Sequence, residues 1–297
     1  MPVFFLLGWC AAAAFELGNV TNRRHWRTVT PPRVTKATDA PRCDIGTNGL
    51  VVVVPALVRS RAEARMLERC VEQIKDIVVV VVVDDGSPHP IAIPGVNVVR
   101  HEMNLGPAAA RNTGMATAFR NGGARHVAFT DVDCVPDSAW VAQHAKLQEL
   151  SPGLWSGVTR ALHHHKQHNF AWDVVSRFHD AVGTLSPRVF LQQPELAVYA
   201  PTCNLSVSKN VWLDGVAFDE RYPTSAFEDV DFCIRARASG FPVQVSEDAV
   251  MWHDFDASVL GLLRSYYKYG GGLALVLEAH GNDYYYNELQ RSEPLLV

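Results

Sequence analysis

The sequence predicts an α/β fold in which helices flank an open, mostly parallel sheet. Two apolar runs, residues 50–54 and 77–83, are rich in β-branched residues and lack alternation, which is typical of strands buried on both faces of a parallel sheet. Residues 60–76 lie between them and carry apolar side chains at helical spacing. Acidic residues follow the strands, at the sheet edge where such folds bind ligands.

Later elements continue the strand and helix alternation. A third strand is predicted at 97–100, a glycine-terminated helix at 107–122, and a fourth strand at 126–130. The periodicity weakens after residue 137, so the second half is expected to be mixed. Helices are predicted there at 228–240 and at 258–279, the latter interrupted by three glycines.

Composition excludes several classes of protein. The chain has 297 residues, of which 48% are hydrophobic, enough to bury a core and to exclude general disorder. A net charge of -4 gives no basic excess, so we expect no nucleic-acid partner. Six cysteines form no Cys-x-x-Cys pair, which favours reduced thiols and a cytoplasmic protein. The histidines near residues 163–168 fit no standard zinc spacing and are interpreted as a loop.

The first 49 residues are interpreted as an extension and linker. The apolar stretch 3–17 is shorter than the ~20 residues that cross a bilayer, and no basic leader precedes it. We therefore expect a packed or surface-lying helix, with peripheral membrane attachment left open. Residues 50–140 are predicted to form the ligand-binding α/β half, and residues 141–297 the second half of the same domain.

A first candidate site follows the second strand. Asp84 and Asp85 begin an Asp-Asp-Gly-Ser turn. A carboxylate there can accept hydrogen bonds from a base or a ribose, and glycine lets a ligand approach the backbone closely. A simple turn is the alternative for this motif taken alone.

A second candidate site is the Asp131-Val132-Asp133 segment, which leaves an apolar strand. Two carboxylates at this spacing, near the ligand edge of the sheet, suit Mg²⁺ or Mn²⁺ bridged to phosphate oxygens. A solvated acidic loop is the alternative.

A third candidate site is the acidic cluster Glu228, Asp229 and Asp231. Carboxylates this close raise one another's pKa and need a function or cationic partners. Pairing with Arg235 at a helix start explains Asp231, but it leaves Glu228 and Asp229 without a structural reason.

Together these motifs, over roughly residues 50–256, resemble the family 2 glycosyltransferases, which have the GT-A fold. The segment 104–112, with Arg111, and the Trp252-His253 pair also resemble family motifs. The resemblance implies that the nucleotide is contacted by Pro55, Asp84, Asp85, Arg111 and Asp131. It implies donor-sugar contacts for Asn204 and Asp131, and metal ligation by Asp133 and His253. It also implies that Asp229 acts as general base together with Glu228. One departure concerns Pro55-Ala56-Leu57-Val58, where family members carry an aromatic residue near the base, so the identity of the base stays open.

The implied activity is an inverting, metal-dependent transfer of a sugar from a nucleotide-diphosphate donor to an acceptor hydroxyl on a glycan, lipid or small molecule. The alternatives are a haloacid-dehalogenase-type phosphatase, a nucleotide-sugar pyrophosphorylase and an inactive nucleotide-sugar-binding protein. In the phosphatases the Asp-x-Asp motif normally opens the fold, whereas here it comes later. The pyrophosphorylases need an early glycine-rich loop, which residues 51–60 lack. Tyrosines near the C-terminus leave packing, a homodimer contact or an acceptor groove open.

Overall fold

A computed structural model describes residues 49–121, 123–162, 199–254 and 259–281. Several predictions fall outside these residues. They are the N-terminal helix at 3–17, the linker up to residue 48, the loop of histidines at 163–168 and the C-terminal tyrosines 284–286.

The described residues form eight strands and six α-helices. The strands are β1 (Leu50–Ala56), β2 (Val79–Asp84), β3 (Asn97–Arg100), β4 (His126–Phe129), β5 (Cys134–Pro136), β6 (Leu154–Ala161), β7 (Leu205–Ser208) and β8 (Val243–His253). The helices are α1 (Arg61–Glu72), α2 (Pro107–Ala116), α3 (Trp140–Leu150), α4 (Lys209–Leu213), α5 (Glu228–Ala238) and α6 (Val259–His280).

All eight strands belong to one mixed sheet, in the order β3-β2-β1-β4-β7-β6-β8-β5. The first four are parallel to one another, as predicted. Strand β7 then pairs antiparallel with both β4 and β6, β8 runs parallel to β6, and β5 is antiparallel to β8. The prediction of an α/β fold with a mostly parallel first half and a mixed second half is confirmed.

The core explains why the early strands lack alternation. Val51 and Val53 of β1 pack into one apolar cluster, with α2 and α5, while Val52 and Val54 pack into a second, with α1. Both faces of this strand are therefore covered, and each valine there removes apolar surface from water. This central position fixes the strand ends on which the acidic residues lie.

Two helices differ from their predicted form. The helix predicted over 107–122 ends as an α-helix at Ala116 and continues as a π-helical segment, Thr117–Asn121. The final helix was expected to be interrupted by glycines, and this was wrong, because α6 is continuous over Val259–His280. At Gly272 a Cβ would overlap the carbonyl oxygen of Ala226, so this glycine serves close packing. Among the described residues, no helix has the length and apolarity to cross a bilayer.

Candidate active site

The turn after β2 is held by Asp84. Its Oδ1 accepts a hydrogen bond from the Ser87 amide at 2.9 Å, and its Oδ2 accepts from the Ile91 amide at 3.1 Å and from the Arg100 guanidinium. Burial raises the pKa of Asp84, but these hydrogen bonds outweigh it and lower the pKa overall. Asp84 is wholly buried and orders the turn, and its contact with a nucleotide stays a prediction.

Asp85 connects this turn to the start of α2. Its carboxylate accepts hydrogen bonds from the Leu105 amide at 2.8 Å and the Gly106 amide at 2.9 Å, and it contacts His101 Nδ1 at 2.7 Å. Gly86, the residue after Asp85, has φ of 74°. A Cβ there would overlap the backbone of Asn104, so the position requires glycine. Nucleotide contact by Asp85 stays a prediction, as does that of the partly exposed Pro55 on β1.

Arg111 brings two of the predicted acidic sites together. From α2, its Nη1 donates to Glu228 Oε1 at 2.7 Å and its Nη2 donates to Asp131 Oδ1 at 3.0 Å. The Arg111 side chain is only 2% exposed. Burial lowers its pKa, but the two carboxylates more than compensate and raise it. A permanently charged guanidinium therefore joins the Asp-x-Asp segment to the acidic pair.

The acidic pair begins α5 in an unusual backbone geometry. The preceding residue, Phe227, has φ of 65°, in the left-handed region. Glu228 is buried, and its Oε2 has no hydrogen-bond partner among the described residues. Burial, followed by the charge of Glu228, raises the pKa of Asp229 to about 7, against the opposing effect of Arg111. A carboxyl group with this pKa can exchange a proton near neutrality.

The predicted metal ligands lie together at the β5–β8 edge. Asp133 Oδ2 is 3.2 Å from His253 Nε2, and both side chains are partly exposed. Asp133, His253 and Cys134 each offer a ligand atom, and these atoms lie within 4.8 Å of one another. Burial lowers the pKa of His253, whereas the Asp133 carboxylate raises it by more. The oxygen and nitrogen donors fit a divalent cation such as Mn²⁺ or Mg²⁺, which accept carboxylate and, for manganese, imidazole ligands.

Asn204 lies in a buried polar network. Its Oδ1 accepts from Trp140 Nε1 at 2.8 Å and contacts His144 Nε2 at 3.0 Å. Its Nδ2 donates to the carbonyl oxygens of Val158 and Ala249, each at 3.0 Å. The side chain is wholly buried with these four partners, which gives it a structural role, and the donor-sugar contact stays a prediction. It connects β6 and β8 beside the irregularity in their pairing.

Sequence reasoning missed the thiol of Cys134 and the histidine of the Asn204 network. Burial lowers the pKa of His144 to about 4, so its ring is neutral and links Asn204 to Ser206. Nothing in its local pattern indicates that network. Cys134 had a signal, since it follows Asp133 directly and begins a strand.

Comparisons with known proteins show which proteins this chain resembles. Among curated relatives, "Pre-mycofactocin glycosyltransferase" of Mycobacterium tuberculosis, from strains CDC 1551 / Oshkosh and ATCC 25618 / H37Rv, is 28% identical over 251 residues. The match covers 78% of this chain and 48% of the relative. The chain thus spans about half the length of the curated relatives it matches.

Among solved structures, two of S. aureus TarS residues 1–349 resemble this one. The complex with UDP has a TM-score of 0.49 at 14% identity, covering 80% of this chain and 75% of that one. The complex with UDP-GlcNAc has a TM-score of 0.49 at 15% identity, covering 82% and 78%. The model of glycosyl transferase family 2 matches residues 51–205. Because this match spans just over half of the sequence and includes the turn after β2, Arg111 and the Asp-x-Asp segment, the chain belongs to glycosyl transferase family 2.

Proposed function

We propose that this protein transfers a sugar from a nucleotide-diphosphate donor to an acceptor hydroxyl, with inversion at the anomeric carbon and with a divalent cation. The observation that carries the proposal is the Arg111 bridge between Asp131 and Glu228. Asp131 is two residues from Asp133, and Glu228 precedes Asp229. This bridge supports placing the proposed cation near the proposed proton acceptor.

On the donor side, Asp133 and His253 would hold Mg²⁺ or Mn²⁺, which stabilises negative charge as it develops on the leaving diphosphate. Asp131 is about one-third exposed and would contact the ribose or the donor sugar. Arg111 orients that carboxylate through its hydrogen bond to Oδ1. Asp85 and Pro55 are expected to lie at the nucleotide end of the site, beside the turn after β2.

On the acceptor side, Asp229 would act as general base. The acceptor oxygen attacks the anomeric carbon, the bond from that carbon to the diphosphate breaks, and the acceptor proton passes to Asp229. A pKa of about 7 leaves a substantial ionised fraction at neutral pH while keeping the carboxylate basic enough to take the proton, and such a base contributes about 10²–10⁴-fold to the rate. Glu228 contributes by raising the pKa of Asp229 and by offering its unpaired Oε2 to a substrate hydroxyl.

Family membership removes the phosphatase alternative, and the Asp-x-Asp segment here follows β4 instead of opening the fold. The inactive binding protein remains a rival. We take pre-mycofactocin as the first acceptor to test, because the curated relatives at 28% identity carry that name. Membrane contact and a homodimer stay predictions.

A panel of nucleotide-sugars tests the proposal. Thermal stabilisation is measured for each donor with Mn²⁺, with Mg²⁺ and with neither, because a ligand that binds the folded state raises the melting temperature. Sugar release or transfer is then measured for the wild type, for Asp229→Asn and for the matched control Asp248→Asn, an exposed carboxyl. We expect metal-dependent stabilisation by one class of donor, and turnover that is lost only in Asp229→Asn.

Two outcomes would overturn this function. An absence of stabilisation with every donor would remove nucleotide-sugar binding. Metal-dependent binding with equally negligible turnover in the wild type and in Asp229→Asn would favour the inactive binding protein.

A further inference from the structure

A thiol lies beside the two predicted metal ligands. Cys134 Sγ contacts Asp133 Oδ1 at 3.7 Å, and the ligand atoms of Asp133, Cys134 and His253 are all within 4.8 Å of one another. The Cys134 side chain is wholly buried. It begins β5 at the point where that strand meets the end of β8.

The strand pairing fixes this proximity. Cys134 is the antiparallel partner of His253, and side chains of directly paired residues extend from the same face of a sheet. Asp133 precedes β5, and its carbonyl oxygen accepts a hydrogen bond from the Asp254 amide at 2.7 Å. Both strand ends are therefore tied together by backbone hydrogen bonds, and the three side chains converge without a long flexible loop between them.

The chemistry of these donors differs from that of an all-oxygen magnesium site. Mg²⁺ prefers carboxylate and water oxygens in a near-ideal octahedron. A thiolate sulfur and an imidazole nitrogen favour cations of the zinc class, which bind sulfur at about 2.3 Å and nitrogen at about 2.0–2.1 Å. Ligand atoms of one such ion lie about 3.5 Å apart, so only small side-chain adjustments are needed here.

We infer that Asp133, Cys134 and His253 form a three-ligand site selective for thiophilic divalent cations, Zn²⁺, Co²⁺ or Cd²⁺, over Mg²⁺. On binding, the Cys134 thiol releases its proton to solvent and coordinates through sulfur. The inference rests on the proposed function for the role of this cation, since two of its ligands are those of the donor-side site, and it replaces Mg²⁺ there by a thiophilic cation. It gives that site a metal preference and leaves the remaining coordination positions open.

The direct test is X-ray absorption of the wild-type full chain loaded with one equivalent of Zn²⁺, without any sugar donor. We expect one sulfur at about 2.3 Å together with nitrogen and oxygen at about 2.0–2.1 Å. A first shell of nitrogen and oxygen alone, or a failure to bind Zn²⁺, would overturn the inference. Because no variant is needed, a folding defect cannot obscure the result.

Binding of Co²⁺ by variants gives a second readout. Wild-type protein should show a sulfur-to-cobalt charge-transfer band that persists in a large excess of Mg²⁺. Cys134→Ser should lose the band and bind at least about 10-fold more weakly. Cys233→Ala, which removes another buried thiol outside this group, should keep it. A band retained in Cys134→Ser would refute the role of Cys134.

These measurements separate the inference from the proposed function. Absence of turnover with every donor would defeat the proposed function while leaving the cobalt band intact. Full turnover with Mg²⁺, together with bound Zn²⁺ that has only oxygen and nitrogen ligands, would defeat the inference and leave the proposed function standing.

Discussion

Replacing Asp229 by asparagine should stabilise the protein at alkaline pH. The folded state raises the pKa of this carboxyl from 3.8 to about 7, so the folded protein binds its proton more tightly than the unfolded chain does. The carboxyl therefore favours folding below about pH 4, and this contribution is lost as the pH rises toward 7. A pKa difference of about 3, at about 1.4 kcal/mol per unit, corresponds to about 4 kcal/mol. Partial solvent exposure of Asp229 reduces the expected value to about 2 kcal/mol.

The assay is urea unfolding of the wild type and Asp229→Asn at pH 5 and pH 8. The variant should gain stability relative to the wild type as the pH increases, because it has no carboxylate to ionise. Its transferase activity should fall about 10²–10⁴-fold at pH 8 and by less at pH 5, where the wild-type carboxyl is already mostly protonated. Asp248→Asn, on an exposed carboxyl, should show neither change. A stability difference that is constant from pH 5 to pH 8 would refute the raised pKa, and with it the reason for assigning Asp229 as the base.

Three further substitutions test the architecture around the site. Arg111→Met leaves Glu228 buried and uncompensated, so the free energy of unfolding should fall by about 3–5 kcal/mol. Gly272→Ala places a methyl group against a backbone carbonyl of the segment before α5, and it should lower the unfolding free energy by about 1–3 kcal/mol and reduce the transfer rate. Asn204→Ala leaves four buried polar partners unmatched, and urea unfolding should show a loss of at least about 2 kcal/mol.

Each substitution has a matched control on the surface. Arg65→Met on α1 and Asn210→Ala on α4 change exposed side chains and should shift stability by no more than about 0.5 kcal/mol. Gly271→Ala lies next to Gly272, but a Cβ there meets nothing within 4 Å, so it should stabilise α6 by about 0.5–1 kcal/mol. Equal effects of Gly271→Ala and Gly272→Ala would contradict the close packing of α6.

The fold could be predicted where burial leaves a mark on the sequence. Strands β1 and β2 are covered on both faces, and that requirement produces their uninterrupted valines. The acidic motifs at 84–85 and 131–133 could be located for the same reason, since a charged pair directly after an apolar strand is conspicuous. In contrast, the glycines of α6 resemble helix breakers locally, and no local pattern indicates that Gly272 packs against a segment distant in sequence within a continuous helix.

Roles within the site were harder to predict because they depend on partners distant in sequence. Asp84 and Asp85 are adjacent and chemically identical. Asp84 accepts a hydrogen bond from the turn that follows it, whereas Asp85 accepts one from the backbone just before α2. Asn204 was predicted to contact the sugar only because of the resemblance to the family. The four groups that occupy its carboxamide come from three other elements, and no local pattern records them.

The backbone at Phe227 connects the C-terminal helix to the chemistry proposed for Asp229. A non-glycine residue at φ of 65° costs roughly 1–2 kcal/mol and persists only where surrounding packing maintains it. That packing comes from α6. The Tyr269 and Phe227 rings pack edge to face, with their centroids 6.4 Å apart, and Gly272 lies against Ala226. Because Phe227 immediately precedes the acidic pair, its conformation sets the direction in which α5 begins. We therefore expect a shift of α6 to change the direction of the proposed base, although the two lie far apart in sequence.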